Sequence, residues 1–190
     1  MLKKIILASA IALMTTGAAI AQGTPYVGAS VGITTNTANV KMNGSNFTGG
    51  GYRGIPANLF AGYGGLIAPN LYLAGEVNGT LSTTNISDNT QLKTSYGLGA
   101  SIIPGVMLSR HTMAYARVGV VRSDFSYGDT LKTGGQVGLG MQTCLAQNLD
   151  LRGEYDFVSY QAKHFTYNRS TASLTPQSDQ FSVGLVYKLD

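Results

Sequence analysis

Five ionisable residues interleave acid and base through the middle of the chain: Glu76, Arg117 and the closely spaced Arg152, Glu154 and Asp156. Charges held away from bulk water survive only when paired and hydrogen bonded. A set of this kind either fills and locks an interior or exchanges partners to gate a narrow ion path. A second group, Lys163, His164, Phe165, Tyr167 and Arg169, alternates bases with rings. That mixture suits anionic sugars or lipopolysaccharide phosphates, through charge and stacking. A third arrangement would be hydrolytic, with Thr166 as hydroxyl, His164 as base and Asp156 as acid. His164 and Thr166 fall where an irregular segment begins rather than on rigid positions, so no catalytic residue is expected. The other histidine, His111, follows Arg110 in a turn and reads as solvated. There is no phosphate loop, zinc-type histidine pair or serine-centred elbow, and neither metal nor cofactor is expected.

The segment that must deliver these residues to their compartment is the first one. Lys3 and Lys4 precede an apolar run over 5–14, and Ala19, Ile20 and Ala21 give a small-x-small cleavage pattern. This is the form of a secretory signal peptide, and the run is short of the about 20 apolar residues a spanning helix needs. Cleavage is expected after Ala21, leaving Gln22 first, so that 1–21 is the signal and 22–190 a single domain. Removing Lys3 and Lys4 from 13 basic residues leaves 11 against 9 acidic ones. That near balance is no footprint for nucleic acid. Cys144 is the sole cysteine, so no intramolecular disulfide forms. The chain has 25 Gly, 11 Tyr and only 12% charged residues, with mean hydropathy near zero. Apolar residues spread at period two along bilayer-facing strands produce that mixture.

Eight such segments read at period two: 26–34, 57–66, 71–81, 92–102, 114–120, 131–142, 149–157 and 180–189. In the first, Val27, Ala29, Val31 and Ile33 oppose Gly28, Ser30 and Gly32. In the fourth, Leu92, Tyr96, Leu98, Ala100 and Ile102 oppose Lys93, Ser95, Gly97, Gly99 and Ser101. In the seventh, Leu149, Leu151, Tyr155 and Phe157 oppose Asp150, Arg152, Glu154 and Asp156. A soluble antiparallel sandwich alternates too, but the connections differ in a way it does not require. Those at 35–56, 82–91, 123–130 and 162–177 are long and rich in Gly, Asn, Ser or Thr. Those at 65–70, 104–111 and 144–148 are tight, with Pro-Asn or Pro-Gly. Four long loops on one side and three short turns on the other predict an all-β, transmembrane, eight-stranded antiparallel up-and-down barrel, both ends periplasmic. The first loop, with Gly49, Gly50 and Gly51, reads as flexible and antigen-like.

An eight-stranded barrel has room inside only for its own side chains. Counted from the periplasmic turns, Glu76, Arg117 and Glu154 each stand about 12 Å up their strands. They are expected to meet as a lumenal network, extended by Arg152 one layer below and bridged by Gln136.

The turn and strand Pro104-Gly105-Val106-Met107-Leu108, leading into Tyr115-Ala116-Arg117-Val118-Gly119, and the closing Phe181-Ser182-Val183-Gly184-Leu185-Val186-Tyr187 resemble the opacity-type, OmpA/OmpX-like small barrels of Gram-negative bacteria. The resemblance covers the mature chain and implies residence in the cell outer membrane. It further implies assembly by the β-barrel machinery as a monomer among outer-membrane lipids and lipopolysaccharide, and a structural or surface-interaction role carried by loops, with a host or matrix ligand. Two alternatives stay open: a narrow pore gated by the lumenal network, and an outer-leaflet lipid A-modifying enzyme, since some small barrels of this kind use a His, a Ser and an acid.

Overall fold

The computed structural model describes residues 23–42, 45–85, 94–125, 132–167 and 170–189. The signal segment with Ala21 and Gln22 lies outside the described residues, as do Leu92, Lys93, Leu131 and Arg169. Nine strands are described: β1 (Thr24–Met42), β2 (Ser45–Ala68), β3 (Leu71–Asn85), β4 (Thr94–Met107), β5 (Thr112–Phe125), β6 (Lys132–Ala146), β7 (Leu149–Tyr160), β8 (Lys163–Tyr167) and β9 (Ser170–Lys188). Each of β1 to β6 pairs antiparallel with the next, β7 pairs with β9, and β9 pairs back onto β1. The short β8 continues the line of β7. Ser159 opposes Gln177 on β9, and Lys163 opposes Leu174 farther along the same strand. The closed cylinder therefore has eight staves, one of them interrupted at 161–162.

Alternation decides which face is which. On β7 every second residue from Asp150 to Tyr160 is buried. On the outer surface Val31, Ile33, Leu98, Leu139 and Phe181 are each more than half exposed, while Glu76, Arg117, Arg152, Glu154 and Asp156 are all under a tenth exposed. A water-soluble sandwich would bury the first set and expose the second, because apolar burial is its main driving force. Here the hydrocarbon is outside. A polar row of Arg53, Thr35 and Asp179, cross-strand neighbours on β2, β1 and β9, ends the apolar surface at the top. From Asp179 to Leu189 a strand tilted near 40° climbs about 25 Å, the height of a membrane-facing band. No helix among the described residues is long and apolar enough to cross a membrane, and the strands do the crossing.

The strands outrun the expected ones at the upper end. Residues 35–56 do not form a long loop: β1 and β2 stay paired from Thr24 against Gly64 to Met42 against Ser45, and Gly49 sits in the ladder opposite Ala38. Likewise 162–177 is mostly strand, with β8 folded onto β9. The physical reason is propagation, since two adjacent staves already in register can extend their ladder above the bilayer, where no hydrocarbon imposes an alternating pattern. At the lower end Pro104 and Gly105 also belong to β4 rather than to a turn. The β4–β5 ladder passes from Ile102–Val118 to Gly105–Tyr115, leaving Ile103 and Pro104 out of it, as a residue without an N–H requires. The turn itself is tighter and later. Ser109 Oγ accepts from the backbone N–H of His111 at 3.2 Å and of Thr112 at 3.1 Å.

Candidate functional site

The lumen is built by inward positions of β1 to β7 and β9, and its lower half is closed. Tyr26, Phe60, Ala74, Ile103, Met113, Tyr115 and Val186 form one buried apolar cluster, with Tyr72 and Met107 packed against it. Glycine makes room for these rings. A Cβ at Gly140 would run into the Tyr115 ring, and one at Gly138 into the Asp156 carboxylate. Into this cluster β7 inserts Arg152, whose guanidinium lies 4.6 Å from the centroid of Phe60, 5.3 Å from Tyr115 and 5.5 Å from Tyr26. Rings on three sides hold a cation by their negative faces where water is absent.

On top of the rings lies the ion-pair layer. Arg117 Nη2 donates to Glu76 Oε1 at 2.7 Å and to Glu154 Oε2 at 3.0 Å. Arg152 Nη1 donates to Glu76 Oε2 at 2.6 Å. Glu76 Oε2 also accepts from Tyr26 Oη at 2.9 Å, and Glu154 accepts from Tyr115 Oη. Beneath, Arg152 Nε and Nη2 donate to Gln142 Oε1 at 3.0 and 2.8 Å. Gln142 Nε2 in turn donates to Asp150 Oδ2 at 2.6 Å, and Lys188 reaches Asp150 from the lower rim at 2.8 Å. The plug thus runs unbroken from Lys188 to Glu154. Each charged member has at least one opposite charge within reach, as a buried charge demands.

The structure brings Glu76, Arg117, Glu154 and Arg152 together but gives Gln136 a different place. Its side chain lies against Asp156, not between an arginine and a glutamate, and its Oε1 has no partner. Gln142 bridges instead, one layer below the ion pairs. Asp156 faces Arg117 Nε at 3.6 Å, too far for a hydrogen bond. Tyr26, Tyr115, Gln142, Asp150 and Lys188 complete the plug although sequence reasoning did not assign them to it. Their signal was inward parity beside the charged positions.

The upper half of the lumen is mixed in character, with a small buried apolar cluster of Val121, Val158 and Tyr160 beside hydroxyls and amides. A cavity of about 70 Å³ runs from Arg117 and Glu154 up to Ser123, Tyr160, Thr34 and Ser178. Its lining is joined by short polar links. Tyr160 Oη donates to Ser123 Oγ at 3.1 Å, Thr34 and Ser178 share a hydroxyl pair at 3.1 Å, and Thr80 donates to Asn58 at 2.8 Å.

Of the hydrolytic arrangement, Asp156 is buried in the lumen beside Arg117, while the backbone of His164 and Thr166 lies on β8, paired with Ser173 and Thr171. His111 is exposed in its turn. The backbone of Lys163, Phe165 and Tyr167 lies on the same β8, and Arg169 is outside the described residues.

A closed barrel with hydrocarbon-type residues outward and paired charges inward matches one family model, the outer membrane protein beta-barrel domain, over residues 5–188. The chain belongs to that family. It is a protein of the Gram-negative outer membrane. Among solved structures, Neisserial surface protein A matches at 20% identity over 88% of this chain and 99% of that one, with a TM-score of 0.53. The attachment invasion locus protein Ail of Yersinia pestis matches at 14% over 84% and 99%, with a TM-score of 0.38. OprG of Pseudomonas aeruginosa matches at 10% over 87% and 96%, with a TM-score of 0.45. The likeness to the Neisserial protein is one of fold. No curated protein sequence matches the chain.

Proposed function

We propose that this barrel is a surface-interaction protein, acting through the sheet it raises above the membrane and not through its lumen. One observation carries the reading. β8, the upper part of β9, the upper part of β1 and the upper part of β2 form a contiguous four-stranded sheet above the polar row of Arg53 and Asp179. From Asp179 to Ser170 it climbs roughly 20 Å. Residues 37–53 and 162–178, whose described parts build it, contain Lys41, Arg53, Lys163 and Arg169 and not one Asp or Glu. Phe47, Phe165 and Tyr167 lie among them in sequence, whereas Tyr52 is fully buried. Acid-free segments whose sequence carries bases and rings favour polyanions, so the partner is an anionic glycan of host or matrix, or the lipopolysaccharide phosphates beside the barrel. Export through residues 1–21, cleavage between Ala21 and Gln22, insertion by the β-barrel assembly machinery and a monomeric state complete this reading. It includes no enzymatic activity.

The test excises 37–52 and, separately, replaces Lys41, Lys163 and Arg169 with Glu. Both variants should keep the gel-mobility shift between boiled and unboiled samples that marks a folded barrel. Both should lose adhesion of whole cells to immobilised sulfated or phosphorylated glycans. Undiminished adhesion with either variant overturns the reading. A conducting lumen is the competing outcome, read as steady planar-bilayer conductance of the parent protein that changes in Arg117→Ala.

A further inference from the structure

β1 and β9 stay in unbroken register from Tyr26 opposite Lys188 to Met42 opposite Ala172, so the two sides of the wall keep their identity above the rim. Below the rim, the outward positions of these strands hold Val31, Ile33 and Phe181, each more than half exposed. Above it, the same positions hold Thr37 and Asn39 on β1 and Ser173, Thr175 and Gln177 on β9, all partly exposed. These side chains form a cross-strand grid in which Thr37 opposes Gln177 and Asn39 opposes Thr175. Asn39 Nδ2 donates to Gln177 Oε1 at 2.8 Å. The inward positions are closed, with Asn36, Tyr52, Pro176 and Ser178 all buried. A partner therefore meets the raised sheet on its outward side, where the described positions of β1 and β9 offer hydroxyls and amides.

Charge on this side is arranged by height. At the rim Arg53 is exposed and stands beside Thr35, whose other neighbour is Asp179. The Asp179 carboxylate accepts from Tyr155 Oη on the adjoining stave. Higher up, Lys41 takes the outward register position opposite Ser173, and no acid occurs in 37–53 or 162–178. From Thr35 to Lys41 the strand climbs about 15 Å, a height for several sugar rings rather than one phosphate.

We propose that the outward face of the raised sheet is a docking surface for the phosphorylated core sugars of the lipopolysaccharide standing beside the barrel, a choice of partner that rests on the polyanion reading above. Continuity of the wall selects that occupant. A lipid whose acyl chains cover Ile33 and Phe181 carries its sugars directly over Thr37 and Gln177, and a ligand from outside must first displace them. Arg53 meets the phosphates next to the hydrocarbon through charge-assisted hydrogen bonds. The grid above it both donates and accepts, as sugar hydroxyls do. Lys41 supplies a cation at the top of the grid for a phosphate or acid farther along the core.

The experiment reconstitutes the full mature barrel in bilayers of phospholipid alone, of phospholipid with lipid A, and of phospholipid with lipopolysaccharide that carries its phosphorylated core. The gel-shift melting temperature is read in each. Lipid A should raise it over phospholipid, and the core-bearing lipid should raise it by a further roughly 5 °C. Arg53→Gln should lose the first increment. Thr37→Val combined with Thr175→Val and Gln177→Leu, which keeps every charge, should lose the second and retain the first. Should that variant give no folded band, Thr175→Val alone should shrink the second increment. A parent barrel that melts at one temperature in lipid A and in the core-bearing lipid overturns the proposal. So does either increment persisting undiminished in its folded variant. Cells that still adhere through the raised segments would, in that event, leave the polyanion reading standing, so the two failures are told apart.

Discussion

Below Glu76 the lumen is filled with rings and closed ion pairs, and the described charges find short partners: Arg152 has Glu76 and Gln142, Asp150 has Gln142 and Lys188. Above Glu154 the same staves line a cavity with hydroxyls and amides beside Val121 and Val158, and polar oxygens are left over. The lower half therefore excludes water and makes each polar partner indispensable. The upper half tolerates water as a substitute partner. This contrast predicts that equal chemical changes will have unequal effects according to height. Because the chain contains no Trp, the readouts are gel-mobility shift and far-UV circular dichroism in urea.

The largest effect should come from Glu76→Ala. Glu76 accepts from Arg117, Arg152 and Tyr26, so its loss leaves two buried guanidinium groups short of a partner in a dry layer. Removing one member of such a network destabilises by about 4 kcal/mol, read as a lower urea midpoint for the folded band. A midpoint equal to that of the parent would mean the lower lumen is wet and the contrast false. Gln142→Ala is the next step down. It deprives Arg152 of two acceptors and Asp150 of one donor without deleting a charge, and about 2 kcal/mol should be lost.

How much of this was legible beforehand follows the same boundary. Wherever strands cross the bilayer, lipid on one face and lumen on the other impose period two. Val27 to Ile33, Leu98 to Ile102 and Phe181 to Leu189 thus disclosed their orientation directly. Counting from the turns places Glu76, Arg117 and Glu154 at one height, and the structure joins them. Above the rim the pattern lapses, because neither face meets hydrocarbon. Residues 37–42 and 45–53, rich in Gly and Asn, therefore read as loop although they are strand. Fine pairings were illegible for another reason. Whether Gln136 or Gln142 reaches an arginine depends on the register between β6 and β7, in which Gln142 opposes Arg152 and Gly138 opposes Asp156. Inward parity alone leaves both glutamines eligible. The three-ring seat of Arg152 likewise joins β1, β2 and β5 across the lumen, a closure that no local pattern encodes.

The smallest effect should be Ser123→Ala, and it sharpens the contrast because it too removes a buried hydrogen-bond partner. Ser123 is about as buried as Arg117, both 3% exposed, and Tyr160 donates to its hydroxyl at 3.1 Å. Burial alone would therefore predict a penalty similar to that of Gln142→Ala. Ser123 and Tyr160, however, border the cavity, and a water there can accept from Tyr160 Oη in place of the lost hydroxyl. The loss should then be no more than about 0.5 kcal/mol, the low end for a net hydrogen bond. The urea midpoints of Gln142→Ala and Ser123→Ala, measured side by side, should differ clearly. Equal midpoints would show that water does not reach the cavity and that both halves of the lumen are sealed alike.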